Sequence, residues 1–192
     1  MKKKILTGLA TGALMICGGV NTAHADPVLI NSATWSSNGH EYILYAANGT
    51  TWQDAKQWVT NNFSGCYLAS VTSAEENVFI NTSLFANQGG EYWLGGFQDP
   101  NSTAAEKGWK WDSGETWSYT NWNIGEPNDF YGPGSEQYLG ANWRGGHWND
   151  EGNLGNITGF VVEVAPVPEP ATMLLFGTGI AGLAGVVRRK RS

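Results

Sequence analysis

The 192-residue sequence is short of three things: cysteine, basic residues in its middle part, and long apolar runs anywhere but its two ends. Its two cysteines are Cys17 and Cys66. If Cys17 departs with a leader, Cys66 stands alone and an intramolecular disulfide is excluded even in an oxidising compartment. Stability must then come from packing, and from any bound metal. No basic neighbour accompanies Cys66 in the sequence, so it is expected to be a small buried side chain, not a reactive thiol.

Between residues 26 and 165, sixteen acidic residues face four basic ones, Lys56, Lys107, Lys110 and Arg144, a formal charge of −12. Nucleic acid is thereby an improbable partner. A domain this acidic either spreads its carboxylates through solvent or neutralises some of them with cations.

The apolar runs belong to extensions. Residues 1–25 carry Lys2, Lys3 and Lys4, then apolar residues from Ile5 to Val20, then Ala23-His24-Ala25. This is the order of a secretory signal peptide cut before Asp26. A lipoprotein anchor on Cys17 is disfavoured because the bulky Ile16 precedes it. At the other end, residues 166–192 run from Pro168-Glu169-Pro170 through apolar Ala171 to Val187 and into Arg188, Arg189, Lys190 and Arg191. That stretch is a short membrane span whose basic end would stay cytoplasmic. A plain anchor would need no Pro-Glu-Pro. The order resembles the PEP-CTERM sorting tail of Gram-negative exopolysaccharide producers. The resemblance implies transient inner-membrane anchoring, an exosortase and secretion machinery as partners in export, and a final place at the cell surface or outside it.

The middle part, residues 26–165, is rich in what the ends lack. All ten tryptophans lie there, among many Gly and Asn, as in a compact loop-rich domain with indoles filling the core. Glu41 to Tyr45 alternates as a strand and Asn48-Gly49 ends it. Thr51 can cap a helix that places Trp52, Ala55, Trp58 and Val59 on one face. Tyr67 to Val71 reads as a strand, and Thr72 with Glu75 as a capping box opening a second helix that frays near Asn81-Thr82. From Glu91 onward, short aromatic strands such as Tyr92-Trp93-Leu94 and Trp109-Lys110-Trp111 alternate with loops. Residues 100–105 and 130–135 are expected to be exposed. Phe160 to Val164 reads as a closing strand able to pair with the first. The plan is α+β: two helices and a loop-rich antiparallel sheet.

Two clusters carry the chemistry: Glu126-Pro127-Asn128-Asp129, and Trp148-Asn149-Asp150, with Glu136 between them. Calcium takes six to eight oxygens at roughly 2.3–2.6 Å from carboxylates, amide carbonyls and water. Glu126, Asn128, Glu136, Asn149 and Asp150 could supply most of such a shell. An X-Pro bond is where a cis peptide is tolerated, and Glu126-Pro127 is expected to be cis. Open positions on the ion could take two vicinal sugar hydroxyls. Their protons would then go to Glu126 or Glu136, and the Asn128 and Asn149 amides would donate to the remaining lone pairs.

Taken in order, Trp93-Leu94-Gly95, Trp122, Gly125-Glu126-Pro127-Asn128 and Trp148-Asn149-Asp150 resemble the C-type lectins over roughly Glu41 to Val164. The resemblance implies the C-type-lectin-like fold with its long calcium-binding loop region. It also implies Ca2+ as the cofactor and a glycan or exopolysaccharide as the partner. Its Glu-Pro-Asn form implies the class that binds mannose, N-acetylglucosamine, glucose or fucose. It places the sugar-binding metal site on Glu126, Asn128, Glu136, Asn149 and Asp150. Asp99, Glu106 and Asp129 resemble the family's auxiliary metal ligands. Where the family carries core cysteines, this chain has residues near Val59, Tyr138, Asn153 and Val162. Trp111, Trp122 and Trp148 are expected to be core anchors, and Tyr131 and Trp143 are candidates for stacking on a sugar. Two other readings use the same residues. Glu126 and Glu136 could be a hydrolase's carboxylate pair, which their place in a metal loop argues against. The fold could also be a calcium-independent protein-binding or matrix module. The expectation is a binding protein, not an enzyme.

Overall fold

The computed structural model describes residues 25–166, which contain eight strands and two α-helices. The expected leader and sorting tail, with the membrane span expected in the tail, lie outside the described residues but for Ala25 and Pro166 at their borders. Among the described residues no helix is long and apolar enough to cross a membrane.

The chain opens with β1 (Val28–Thr34) and β2 (Glu41–Ala46), an antiparallel pair. Helix α1 (Trp52–Asn62) follows, then β3 (Tyr67–Leu68) and helix α2 (Ala74–Ser83). The rest is sheet: β4 (Tyr92–Gln98), β5 (Trp109–Trp111), β6 (Tyr138–Trp143), β7 (His147–Glu151) and β8 (Gly159–Val164). The strand order is β1-β2-β8-β4-β6-β7, with β3 on β8 and β5 on β4. The closing strand does pair with β2, Glu41 opposite Val164 and Ala46 opposite Gly159. The sheet is mixed, because β4 runs parallel to β8. A parallel neighbour needs a crossover between the two strands, and the whole loop-rich half of the chain supplies it.

Local signals fixed most boundaries. Thr51 caps α1 as expected, its hydroxyl accepting the Asp54 N–H at 3.1 Å, and Trp52, Ala55 and Val59 face inward. On α2 the cap is Ser73 in place of Thr72, accepting the Glu76 N–H at 3.1 Å. The partner shifts with it from Glu75 to Glu76, whose carboxylate accepts the Thr72 N–H at 2.7 Å. Strand β1 was not legible because VLINSAT offers no clean alternation, and its residues are largely exposed. Of the strand expected at Tyr67 to Val71, only Tyr67 and Leu68 pair.

Two hydrophobic clusters divide the core, one on each face of the sheet's central strands. The first gathers Tyr42, Leu44, Ile80, Leu94, Trp109, Trp111 and Trp148; the second gathers Trp52, Val59, Leu68, Trp93, Phe160 and Val162. Val59 and Val162 are thus packed within one cluster. Tyr138 and Asn153 are joined through Gln53, which donates to the Tyr138 hydroxyl and accepts from Asn153 Nδ2 at 2.8 Å. Cys66 is free and half-buried at the edge of the second cluster, and burial pushes its thiol pKa up. Gly95 sits where β4 passes β3: a Cβ there would collide with the Leu68 carbonyl.

One polar network is buried in this core. The Glu163 carboxylate accepts from His40 Nδ1 at 2.5 Å and from the Ser70 N–H at 2.9 Å, and the Tyr42 hydroxyl bridges Glu163 and Glu76. Burial dominates: it pushes the Glu163 carboxyl up to about 7 despite the two bonds that favour its anion.

Two outcomes follow for stability. Gly95→Ala should destabilise the fold by about 1–3 kcal/mol in urea unfolding, because backbone atoms cannot yield as a side chain can. The folded pKa of Glu163 lies above the unfolded value of about 4.3, so the folded state holds this proton more tightly. Its contribution is full below the unfolded value and is lost as pH rises through about 7. The stability of Glu163→Gln relative to the parent should therefore increase between pH 5 and pH 7.5, as read from urea midpoints.

Candidate functional site

The site is built on β7. Trp148 is fully buried and meets Trp111, Tyr119 and Trp122 edge-on, with ring centroids 5.6–5.8 Å apart. Anchored by that indole, Asn149 and Asp150 are buried, at 9% and 1% exposure. Trp122 bridges to Trp148, with the Trp148 N–H donating to the Asn121 carbonyl and the Asn123 N–H to the Trp148 carbonyl, each at 2.9 Å. The segment that follows has little sheet of its own and is held by carboxylates. Asp150 accepts the Asn128 N–H at 2.9 and 3.0 Å and the Asp129 N–H at 2.8 Å. Glu136 accepts the Phe130 N–H at 2.6 Å. Asp129 closes the loop on itself, accepting the Gly134 N–H at 3.0 Å and the Glu136 N–H at 3.2 Å. The Glu126-Pro127 peptide bond is cis.

These contacts leave a cavity of about 390 Å³ whose walls include Glu126, Asn128, Glu136, Asn149 and Glu151. Four of the five expected principal ligands line it. The fifth, Asp150, lies behind them and holds the Asn128 backbone. Tyr131 and Trp143, the expected stacking residues, line it too, and His147 is exposed on the β6–β7 hairpin. The auxiliary set is not brought together by any hydrogen bond. Asp99 accepts from Lys110 Nζ at 2.9 Å and from the Asn101 N–H at 3.0 Å, Glu106 is exposed, and Asp129 serves its own loop.

Burial pushes the carboxyls of Glu126, Glu136 and Asp150 up, Glu136 to about 7, and the nearby negative charges add to it. Oε2 of Glu126 is buried with no partner. Carboxylates crowded together, with an oxygen left unsatisfied, are short of positive charge, and their donors are all hard oxygens. The residues present therefore fit a hard divalent cation. Among the described residues no three His, Cys, Asp or Glu side chains close on one point. Amide oxygens of Asn128 and Asn149 would have to complete a shell.

Four further residues belong to the site and carried no readable sequence signal. Glu151 accepts from Asn149 Nδ2 at 2.8 Å and from Asn156 Nδ2 at 3.0 Å. Glu91 is buried beside it, and burial with the Glu151 charge pushes the Glu91 carboxyl up to about 8. Asn156 and Arg144 complete the wall. Only the run Asp150-Glu151 at the end of β7 could have pointed to one of them.

Residues 48–154 match the family described as Lectin C-type domain, and residues 166–191 match the PEP-CTERM protein-sorting motif. A lectin of Pleurodeles waltl is 29% identical over 120 residues, covering 61% of this chain and 66% of that protein. Ladderlectin of Oncorhynchus mykiss is 31% identical over 125 residues, covering 64% of this chain and 61% of that protein. The chain thus spans less than two thirds of the length of these relatives. Among solved structures, the C-type lectin CEL-I from Cucumaria echinata superposes with a TM-score of 0.56 at 25% identity, covering 69% of this chain and 94% of that one.

If Asp150 is what seats the loop, Asp150→Ala should free it without unfolding the core. Hydrogen exchange in calcium-free buffer should show lost protection at Asn128 and Asp129, while β2, β4 and β8 keep theirs.

Proposed function

Because the chain belongs to the C-type lectin domain family, we propose that it binds carbohydrate through a calcium ion held by Glu126, Asn128, Glu136, Asn149 and Asp150. The observation that carries this reading is the cavity lined by Glu126, Asn128, Glu136 and Asn149, in which Glu126 Oε2 stays buried without a partner. When bound, the ion supplies a hard cation whose open positions accept oxygens of two vicinal sugar hydroxyls. The chain's own residues set the specificity. Glu126 and Glu136 accept hydroxyl protons, and the Asn128 and Asn149 amides donate N–H to hydroxyl lone pairs. Glu151 takes one N–H of the Asn149 amide and so orients it, leaving a second N–H for ligand. The pairing of an acidic acceptor at Glu126 with an amide donor at Asn128 supports the class of mannose, N-acetylglucosamine, glucose and fucose. No bond is made or broken. The same reading extends to an auxiliary ion on Asp99, Glu106 and Asp129, which would have to gather these residues and displace Lys110 from Asp99 and loop N–H groups from Asp129.

The chain's organisation is read as leader 1–25, lectin domain 26–165 and sorting tail 166–192. Such a chain is exported, held for a time in the inner membrane, processed by an exosortase and placed at the cell surface or in exopolysaccharide. The matched sorting motif supports that route.

Calorimetric titration of the chain with calcium, with and without mannose, tests the binding reading. Mannose should bind only in calcium, and Glu126→Gln with Asn128→Asp should weaken it about tenfold or more, as lost charge-assisted bonds imply. Mannose binding unaffected by a chelator would refute it.

A further inference from the structure

We propose that the glycan recognised at this site is acidic, and that Arg144 receives the carboxylate of a uronate residue in it; the inference rests on the sugar-binding reading above. The first ground is scarcity. Lys56 is paired with Asp112, and Lys110 with Asp99. Arg144 is the sole arginine between residues 26 and 165, and among the described residues its guanidinium has no ion-pair partner. Lys107, also without one, lines a different cavity with Asp99.

The second ground is position. The cavity that holds Glu126 and Asn128 adjoins another of about 360 Å³ reaching Gly90 and Asn142, and the two share Trp143, Arg144 and Asn156. Arg144 therefore stands at the seam of a groove that is longer than the diol site, where a second sugar of a chain would lie.

The third ground is conformation. The tip of the β6–β7 hairpin is left-handed, with Asn142 at φ 69° and Arg144 at φ 40°, followed by two positive-φ glycines. Glycine would take the position of Arg144 without strain, and a bulky side chain held there calls for a reason outside the backbone. The guanidinium carbon lies 5.1 Å from the centre of the Trp143 ring, so the fork is held against the indole. Trp143 Nε1 is itself buried without an acceptor. Two donor groups on one tip thus lack a protein acceptor, in walls that also carry Glu91, Glu126, Glu136 and Glu151.

A neutral sugar would leave those donors idle. A uronate brings a planar pair of oxygens that matches the guanidinium fork, and an apolar ring face that can rest on Trp143. The surrounding acids repel any anion that does not reach Arg144, so the position of the carboxylate on the glycan becomes the selected feature.

The test uses the full chain in saturating calcium at low salt. It is titrated with cellobiose and with the two disaccharides in which one or the other glucose ring is oxidised to glucuronate. All three keep a glucose-type diol and differ only in where, or whether, a carboxylate stands. One acidic form should bind about fivefold more tightly than cellobiose, the size expected of a partly exposed charge pair, and added salt should erode the ratio. Arg144→Gln should bring the ratio to about one, while Lys107→Gln leaves it unchanged. No advantage for either acidic form, an advantage insensitive to salt, or one retained by Arg144→Gln would overturn the proposal while leaving calcium-dependent sugar binding standing. If none of the three disaccharides binds in calcium, and mannose does not either, the sugar-binding reading falls along with it.

Discussion

The site depends on one carboxylate. Asp150 is on β7, a strand fixed by the buried Trp148 beside it, and it takes the N–H groups of Asn128 and Asp129 from a segment that has almost no sheet bonding. Backbone N–H groups in a loop are otherwise left to water, and a loop so solvated has no preferred shape. Because Asp150 is buried on β7, the loop inherits its position from the core, and the side chains of Glu126 and Asn128 are delivered to the cavity by way of the tryptophan cluster that fixes that strand. The chain of cause runs from indole packing to strand, from strand to carboxylate, and from carboxylate to loop.

That dependence explains how the domain manages without disulfides. A bridge across a small domain constrains mainly the unfolded chain, and packing must supply what it would have contributed. Val59 and Val162 meet in one hydrophobic cluster, while Gln53 ties Tyr138 to Asn153 and the Trp52 N–H donates to Asn153 Oδ1 at 2.9 Å. The tryptophans do the remainder: Trp52 and Trp93 each bury a large ring and hand their indole N–H to a backbone carbonyl, of Leu94 and Thr50 respectively. Each such bond satisfies a polar atom that burial would otherwise penalise.

What could be read from the sequence was what local geometry dictates. The three- and four-residue spacing of Trp52, Ala55 and Val59 had one helical meaning, and the alternation of Phe160 to Val164 had one strand meaning. The cap of α2 slipped by one residue because Thr72 and Ser73 are chemically equivalent caps and Glu75 and Glu76 equivalent partners; only packing of Glu76 under Tyr42 separates them. The paired motifs around Glu126 and Asn149 were legible because each residue type there is an oxygen donor. Glu91, Glu151 and Arg144 were not, since nothing local distinguishes a glutamate that will be buried from one that will be solvated. Their meaning arises where β4, β7 and a hairpin tip converge, at long separation in sequence.

The two buried acidic clusters differ in how fully their oxygens are matched by donors. Around Glu163 every strong acceptor has its donor: His40, Tyr42 and the Ser70 N–H, with Thr72 completing Glu76. A network satisfied in this way gains nothing from a further ion, and displacing a donor would cost it a bond. Around Glu126 the sum is different. Glu126 Oε2 and Glu91 Oε1 lack partners, the donors present are mostly loop N–H groups already engaged by Asp150, Glu136 and Asp129, and the nearby cation is a single arginine pressed to an indole. Buried oxygens without a donor are costly, and that cost would become part of the driving force for any cation that satisfied them. On the proposed reading, the same unmatched oxygens are what a hard cation would coordinate, with ligand hydroxyls then donating to Glu126 and Glu136.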